Sequence, residues 1–379
     1  MRIYLDHNAT APLLDVARAA MIEAAALVGN PSSIHGEGRA ARARLEAARR
    51  GIAALVGAGD AADVVLTSGG TEADLLGVWG LGRAAAAAGA PARALVVATE
   101  HPAVHGAAAA LAAHGFAVDR IAVDRDGRVD LDDLGRALGP GAAVVAVAAV
   151  NHETGVIADV AAVAAAARAA GARVHLDAVQ AAGRLALAPL AALVDTLALS
   201  AHKLGGPAGV GALWIRPGVE LAPLVTGGHQ ERGRRPGTEN LIGAAGFAAA
   251  AAAVDLAAVP ALDRLARHLE AGLRAVPGAR VHGAGAPRVA TTVNVGFAGA
   301  LGEAVVMSLD LEGIAASTGA ACTSGSVRPS PVLLAMGLAP APAREAVRFS
   351  LGPATTAAEI ERVLAVVPAI VARVRAAGA

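Results

Sequence analysis

The chain predicts an α/β protein: a large domain on a mainly parallel sheet, plus a smaller α+β domain. Three observations predict it. Short β-branched runs recur, each followed by a polar turn and then a long alanine-rich stretch of helical length. Most of these runs are continuously apolar rather than alternating, as strands covered on both faces are. From roughly Leu256 the pattern changes to long helices flanking short strands. The reading places the large domain at residues 14–255 and the small one at residues 1–13 and 256–379, with the extreme N-terminus packed on the latter.

In chain order, the runs are Val64 to Thr67, Ala94 to Ala98, Ala143 to Val147, Arg173 to Asp177, Thr196 to Ser200 and Gly211 to Ile215. A helix is predicted over Ala73 to Ala88, after the first run. In the last third, Pro260 to Val276 and Thr356 to Ala377 predict helices, and Ala290 to Val295 a strand. Ligands of such sheets sit beyond the carboxyl ends of the strands, and the polar clusters of this chain fall there.

Composition narrows the class. Of 379 residues 55 % are hydrophobic and the formal net charge is zero, which argues against disorder and against nucleic acid or an anionic membrane as main partner. One cysteine leaves no internal disulfide framework and no multi-cysteine zinc site. Asp6 comes too early for a signal peptide, and apolar runs such as Phe247 to Val254 are too short for a bilayer. The expectation is a soluble, cytoplasmic protein.

Two residues are singular. Lys203, in Ser200-Ala201-His202-Lys203-Leu204-Gly205-Gly206, is the only lysine, in a chain whose other non-histidine basic residues are arginine. An ammonium can lose its proton and attack a carbonyl, which a guanidinium does not readily do. Cys322 is the only cysteine, set among Gly319, Ala320, Ala321, Thr323, Ser324, Gly325 and Ser326. Such a segment has little to bury, and exposure favours thiol reactivity over packing. The pair suggests an aldehyde cofactor held by Lys203 and a nucleophile at Cys322.

The neighbouring motifs carry matching chemistry. Thr67-Ser68-Gly69-Gly70-Thr71-Glu72 opens a helix, where free N–H groups suit a phosphate. His101 follows a strand, placed to stack on a flat ring or to carry protons. Asn151-His152-Glu153-Thr154-Gly155 crowds polar groups into a turn. Asp177 closes a buried strand, an expensive place for a carboxylate without a cation such as a protonated pyridine nitrogen. Gln180 stands three residues on. Arg348, in a β-like run, suits a substrate carboxylate. Each motif alone has a structural alternative: a helix cap, a turn or a salt bridge.

Together these residues resemble the cysteine desulfurases of the NifS/IscS type, class V enzymes of pyridoxal phosphate fold type I. The resemblance runs nearly end to end, through Tyr4 to Thr10, Gly29 to Ser33, Thr67 to Glu72, Glu100-His101, Asp177 and Gln180, Ser200 with His202-Lys203, Gly237 to Asn240 and Arg348 to Ser350. Its most specific part is Ala321 to Ser330, similar to the long cysteine loop of the group that delivers persulfide to other proteins.

The resemblance implies pyridoxal phosphate as cofactor, with Lys203 on its aldehyde, Asp177 on the ring nitrogen, Gln180 on the phenolic oxygen and His101 on the ring face. Gly70, Thr71, Ser200 and His202 are implied at the phosphate, joined by Thr238 from the second subunit of a homodimer. Asn30 and Arg348 are implied at the substrate carboxylate. L-cysteine is the implied substrate. The Lys203 amine takes its α-proton, His101 handles the thiol protons, and Cys322 takes the sulfur as a persulfide, leaving L-alanine. The implied acceptor is an iron–sulfur scaffold or a sulfur carrier protein, with Cys322 as a transient iron–sulfur ligand and no resident metal. The family usually has two asparagines where this chain has Asn151-His152, and His152 is retained as a cofactor ligand. His229 also stands where the family more often has glycine. Two other readings are a different class V enzyme, such as a selenocysteine lyase or aminotransferase, and a non-catalytic sulfur-relay protein.

Overall fold

The structure, a computed structural model, describes residues 2–319 and 328–378. Cys322 lies outside the described residues. Twelve strands are described: β1 (Ile3–Tyr4), β2 (Val64–Thr67), β3 (Arg93–Val97), β4 (Ala117–Ile121), β5 (Val144–Ala148), β6 (Arg173–Asp177), β7 (Thr196–Ser200), β8 (Gly211–Ile215), β9 (Ala279–Val281), β10 (Thr292–Phe297), β11 (Ile314–Ala315) and β12 (Ala346–Ser350).

Seven strands form the large sheet in the order β2-β8-β7-β6-β5-β3-β4. β8 runs antiparallel to both its neighbours, and the remaining pairs are parallel. β7 and β8 are buried at every residue, which is why their sequences are apolar without alternation. β4 is the exception. At the sheet's edge it carries Asp119 and Arg120 and pairs only with β3, so it lacks the apolar run that marks the others.

Small residues let helix and sheet approach closely. In the helix Gly70–Ala87, Gly77 lies against the His175 ring of β6, where a Cβ would collide with it. Gly82 of the same helix faces Leu111 and Val144 at 3.1 and 3.4 Å from the position of a Cβ. Interiors are packed to crystal-like density, so these contacts explain the scarcity of aromatics: the space between the layers has been taken by backbone.

A second core gathers around the three-stranded sheet β12-β10-β9 and the pair β1-β11. Ile3 and Leu5 from the N-terminus join Leu269, Val295, Phe297, Phe349, Ile360 and Val367 in it. β1 pairs in parallel with β11, Ile3 opposite Ile314. The helices Val259–Arg274 and Ala357–Gly378 cover this core. No single helix among the described residues is long and apolar enough to cross a membrane.

One buried ion pair pins the glycine-rich segment 227–240 to the large sheet. Arg49 donates to Glu231 through both terminal nitrogens, at 2.6 and 3.0 Å, and to the Val64 carbonyl at 2.7 Å. Both side chains are nearly inaccessible, at 6 % and 1 %. Glu231 and Arg232 have φ of 49° and 58°, a left-handed conformation unfavourable to residues with a Cβ. The bidentate pair holds the segment in it. Removing one member of a buried pair leaves an uncompensated charge. Glu231→Ala is therefore expected to cost about 3–5 kcal/mol, read as a lower urea midpoint; an unchanged midpoint contradicts this role for the pair.

Candidate active site

Of the predicted residues, His152, Asp177, Gln180, Ser200 and Lys203 lie at or just after the carboxyl ends of β5, β6 and β7. Lys203 follows β7 in a short 3-10 turn, Ala201–Lys203. Its Nζ donates to the carbonyls of Asn8, at 2.6 Å, and Ala9, at 2.8 Å. Burial lowers its pKa to about 8, helped by the positive charges of Arg348 and Arg184 and opposed by Asp177 and Asp6. An amine so placed is partly neutral near physiological pH and available as nucleophile or base.

Asp177, the last residue of β6, is 7 % exposed. Its Oδ1 accepts from the Val179 amide at 2.9 Å. Burial, with Asp74 adding like charge, pushes its carboxyl up to about 7. Two further acids lie nearby. Glu100 and Asp74 are both raised well above the carboxylate range by burial. His175, two residues before Asp177 and on the same side of the strand, lies 3.2 Å from Asp74 Oδ1 and 2.9 Å from Thr196 Oγ1. Such a concentration of buried acid gains from a cation at its open end.

His101 caps the helix Pro102–Ala112, its Nδ1 accepting from the Ala103 amide at 3.1 Å. That bond assigns the neutral ring's proton to Nε2. Burial, and then the charge of Lys203, lowers its pKa to about 4. The His152 ring meets it edge-on, with centroids 5.1 Å apart. Burial likewise drives His152 well below the ordinary histidine range, with His101 and Arg348 adding to the effect. Both rings are therefore neutral at physiological pH.

Ser200 Oγ is buried and has no hydrogen-bond partner among the described residues. A Cβ on Gly70, at the start of the helix Gly70–Ala87, would lie 3.3 Å from Ser200 Cβ and 2.9 Å from Val179 Cγ2. Glycine thus keeps a cradle open between a helix N-terminus and an unsatisfied hydroxyl, and that arrangement suits an anion. Thr71 is exposed at the same helix start. His202 Nδ1 lies 3.2 Å from Thr10 Oγ1. The donor set therefore fits a flat heteroaromatic with an aldehyde for Lys203, a cationic ring nitrogen for Asp177 and a phosphate for the Gly70–Ser200 cradle.

Arg348, on β12, donates to Asp6 Oδ1 at 2.8 Å and to the His152 carbonyl at 2.9 Å. Its Nε is buried without a partner among the described residues. Asn30 and Thr238 are exposed. Asn30 Oδ1 accepts from the Ser32 amide at 2.8 Å, a local turn that does not join it to the Lys203 cluster.

Sequence reading missed the residue that ties the site together. Asn8 is 2 % exposed. Its carbonyl accepts from Lys203 and, at 3.0 Å, from Gln180 Nε2. Its side chain accepts from Arg184 at 2.7 Å and donates to the His152 carbonyl at 3.1 Å and to Thr292 Oγ1 at 3.0 Å. Arg184, also missed, donates to Gln180 Oε1 at 2.5 Å. The available signal was the polar run Asp6-His7-Asn8 directly after a short apolar strand.

This fold and site define a class. The profile of the aminotransferase class-V family matches residues 3–363, and the chain belongs to that family. Among its relatives, the cysteine desulfurase of Cereibacter sphaeroides is 45 % identical over 99 % of this chain and 97 % of its own length. The cysteine desulfurase of Klebsiella pneumoniae is 42 % identical over 99 % of the chain and 94 % of its own. A solved NifS-like protein superposes with a TM-score of 0.89 at 31 % identity, covering 98 % of this chain and all (100 %) of its own.

The arrangement of charges around the single lysine predicts a titration. Arg348→Gln removes a positive charge that lowers the Lys203 pKa, so the value should move up toward the ordinary lysine figure of about 10.4. The check is the ¹³C NMR shift of the reductively methylated lysine of the apo-protein against pH. A downward or null change contradicts the charge arrangement.

Proposed function

We propose that the chain is a cysteine desulfurase dependent on pyridoxal phosphate, converting L-cysteine to L-alanine and a persulfide on Cys322. The observation that carries this reading is that the only lysine lies with Asp177, His101 and Arg348 close enough to share its electrostatics. Its relatives of matching length are cysteine desulfurases, and a solved neighbour described as SspA in complex with cysteine shares the fold at a TM-score of 0.81 and 27 % identity over 94 % of this chain.

In this reading Lys203 takes the cofactor's aldehyde, Asp177 its ring nitrogen and Gln180 its phenolic oxygen. His101 covers the ring face, with His152 beside it. Gly70, Thr71, Ser200 and His202 hold the phosphate, completed by Thr238 of a second copy in a homodimer. Asn30 and Arg348 take the substrate carboxylate. When bound, the cofactor supplies an electron sink for bonds at the substrate's α-carbon.

The chain's own groups supply the rest. Lys203, once free, has the depressed pKa of a base that accepts the α-proton and returns one. His101, neutral with its proton on Nε2, handles the thiol protons. Cys322 as thiolate forms the sulfur–sulfur bond with its own electron pair. The substrate's carbon–sulfur bond breaks toward carbon, which is protonated to give L-alanine, so no external oxidant is required. The persulfide then passes to an acceptor such as an iron–sulfur scaffold or a sulfur carrier protein in the cytoplasm.

Two variants test the assignments. Cys322→Ala should keep the cofactor's visible absorbance and lose sulfur release from L-cysteine by more than about 100-fold. Desulfuration at the parent rate refutes the nucleophile. Lys203→Ala should yield no cofactor covalently trapped by borohydride, and a persistent adduct means that another amine is used.

A further inference from the structure

The turn after β5 holds one buried carboxyl that lies between the His152 ring, 3.8 Å from its Oε1, and the chain on either side of the Cys322 sequence. Glu153 is 1 % exposed, and its Oε2 accepts a 2.6 Å hydrogen bond from Ser330 Oγ. Gly319 passes near the same oxygen: a Cβ there would sit 3.1 Å from it. Gly319 has φ of 85°, so its close approach and its left-handed backbone both call for glycine. Residues 319 and 330 flank the sequence that contains Cys322. A single buried carboxyl is therefore hydrogen-bonded to the C-terminal flank, and the N-terminal flank passes close beside it.

The same residue is fixed to the active site through its backbone. Its amide donates to Asn151 Oδ1 at 3.0 Å, and its carbonyl accepts from Asn294 Nδ2 at 3.2 Å. The preceding residue, His152, meets His101, and its carbonyl receives Arg348. Arg348 also pairs by its backbone with Ser317, two residues before Gly319. The turn itself does not need the carboxyl, because Asn151 Oδ1 already accepts from the amides of Glu153 and Thr154. Burial makes the group expensive, pushing its pKa up to about 7 against the pull of Ser330 and Arg348. A costly carboxyl that the turn's own bonds do not need, hydrogen-bonded to Ser330 and beside the His152 ring, is placed to join that flank to the turn.

We propose that Glu153 is a positioning residue for the sulfur-transfer step: its carboxyl ties Ser330, on one flank of the sequence that contains Cys322, to the turn that carries His152, with Gly319 of the other flank packed close beside it. The proposal rests on the reading of Cys322 as nucleophile.

The test uses the holoenzyme with four variants, Glu153→Ala, Glu153→Gln, Ser330→Ala and Ser330→Thr. Three quantities are measured: kcat and KM for L-cysteine, the cofactor's absorbance, and the rate at which iodoacetamide alkylates the chain's single thiol without substrate. Glu153→Ala and Ser330→Ala should each lower kcat by about tenfold, leave KM within about twofold, and speed alkylation at least about threefold, with absorbance unchanged. Glu153→Gln keeps an acceptor for Ser330, and Ser330→Thr keeps both the hydroxyl and the cap it provides to the Leu333 amide; each should stay within about threefold of the parent. Parent-like kcat and alkylation in both alanine variants overturn the proposal, as does loss of cofactor in step with activity. Should Glu153→Ala fail to fold, Ser330→Ala decides. If instead Cys322→Ala still desulfurates, the nucleophile reading fails, while alkylation still reports whether Glu153 holds the segment.

Discussion

The structure depends on how one ammonium is held. Lys203 Nζ is partly buried just after β7, with two carbonyls, of Asn8 and Ala9, as its hydrogen-bond acceptors. Neither carries a full negative charge, and the nearest guanidinium groups oppose its protonation. An amine hydrogen-bonded to carbonyls, with Asp177 and Asp6 opposing but not cancelling the effects of burial and the arginines, stays within reach of deprotonation near neutrality. A direct carboxylate partner would fix the proton and remove the nucleophile. The carbonyls come from the N-terminal segment, whose first strand belongs to the second core. Lys203 is thereby tied to the small sheet by the same residues that set its charge.

Around that amine the charges are sorted by position. Buried acids, Asp177 with Glu100 and Asp74, lie at the ends of the sheet strands and in the helix packed on them. Arginines 184 and 348 stand where Asn8 and Asp6 reach them. Two neutral imidazoles meet edge-on nearby. In the proposed reading the acid side faces the cofactor's ring nitrogen and the arginine side the substrate's carboxylate, so charge would orient both before any group reacts.

Much of this was legible in the sequence, for physical reasons. β7 and β8 begin and end where their runs do, because strands buried on both faces leave little room for polar residues in their interior. Lys203 stood out because every alternative cation in the chain is a different chemical species. β4 was missed because an edge strand tolerates Asp119 and Arg120. The helix expected from Ala73 begins at Gly70, since its first turn serves the anion cradle and so lacks an apolar signature. Asn8, Arg184 and Glu153 act through partners more than 100 positions away, and no local pattern encodes such pairings. The Asn8–Arg184 and Glu153–Ser330 contacts exist only once two separate cores have met.

The central claim is that one amine and one thiol of this chain act on the same molecule. Intact-protein mass spectrometry after a single turnover with L-cysteine tests it most directly, with the L-alanine released measured in parallel. The account predicts one added sulfur atom per chain, located on the peptide containing Cys322, with an equal amount of L-alanine. L-alanine formed without sulfur on that residue, or sulfur bound elsewhere, would contradict it.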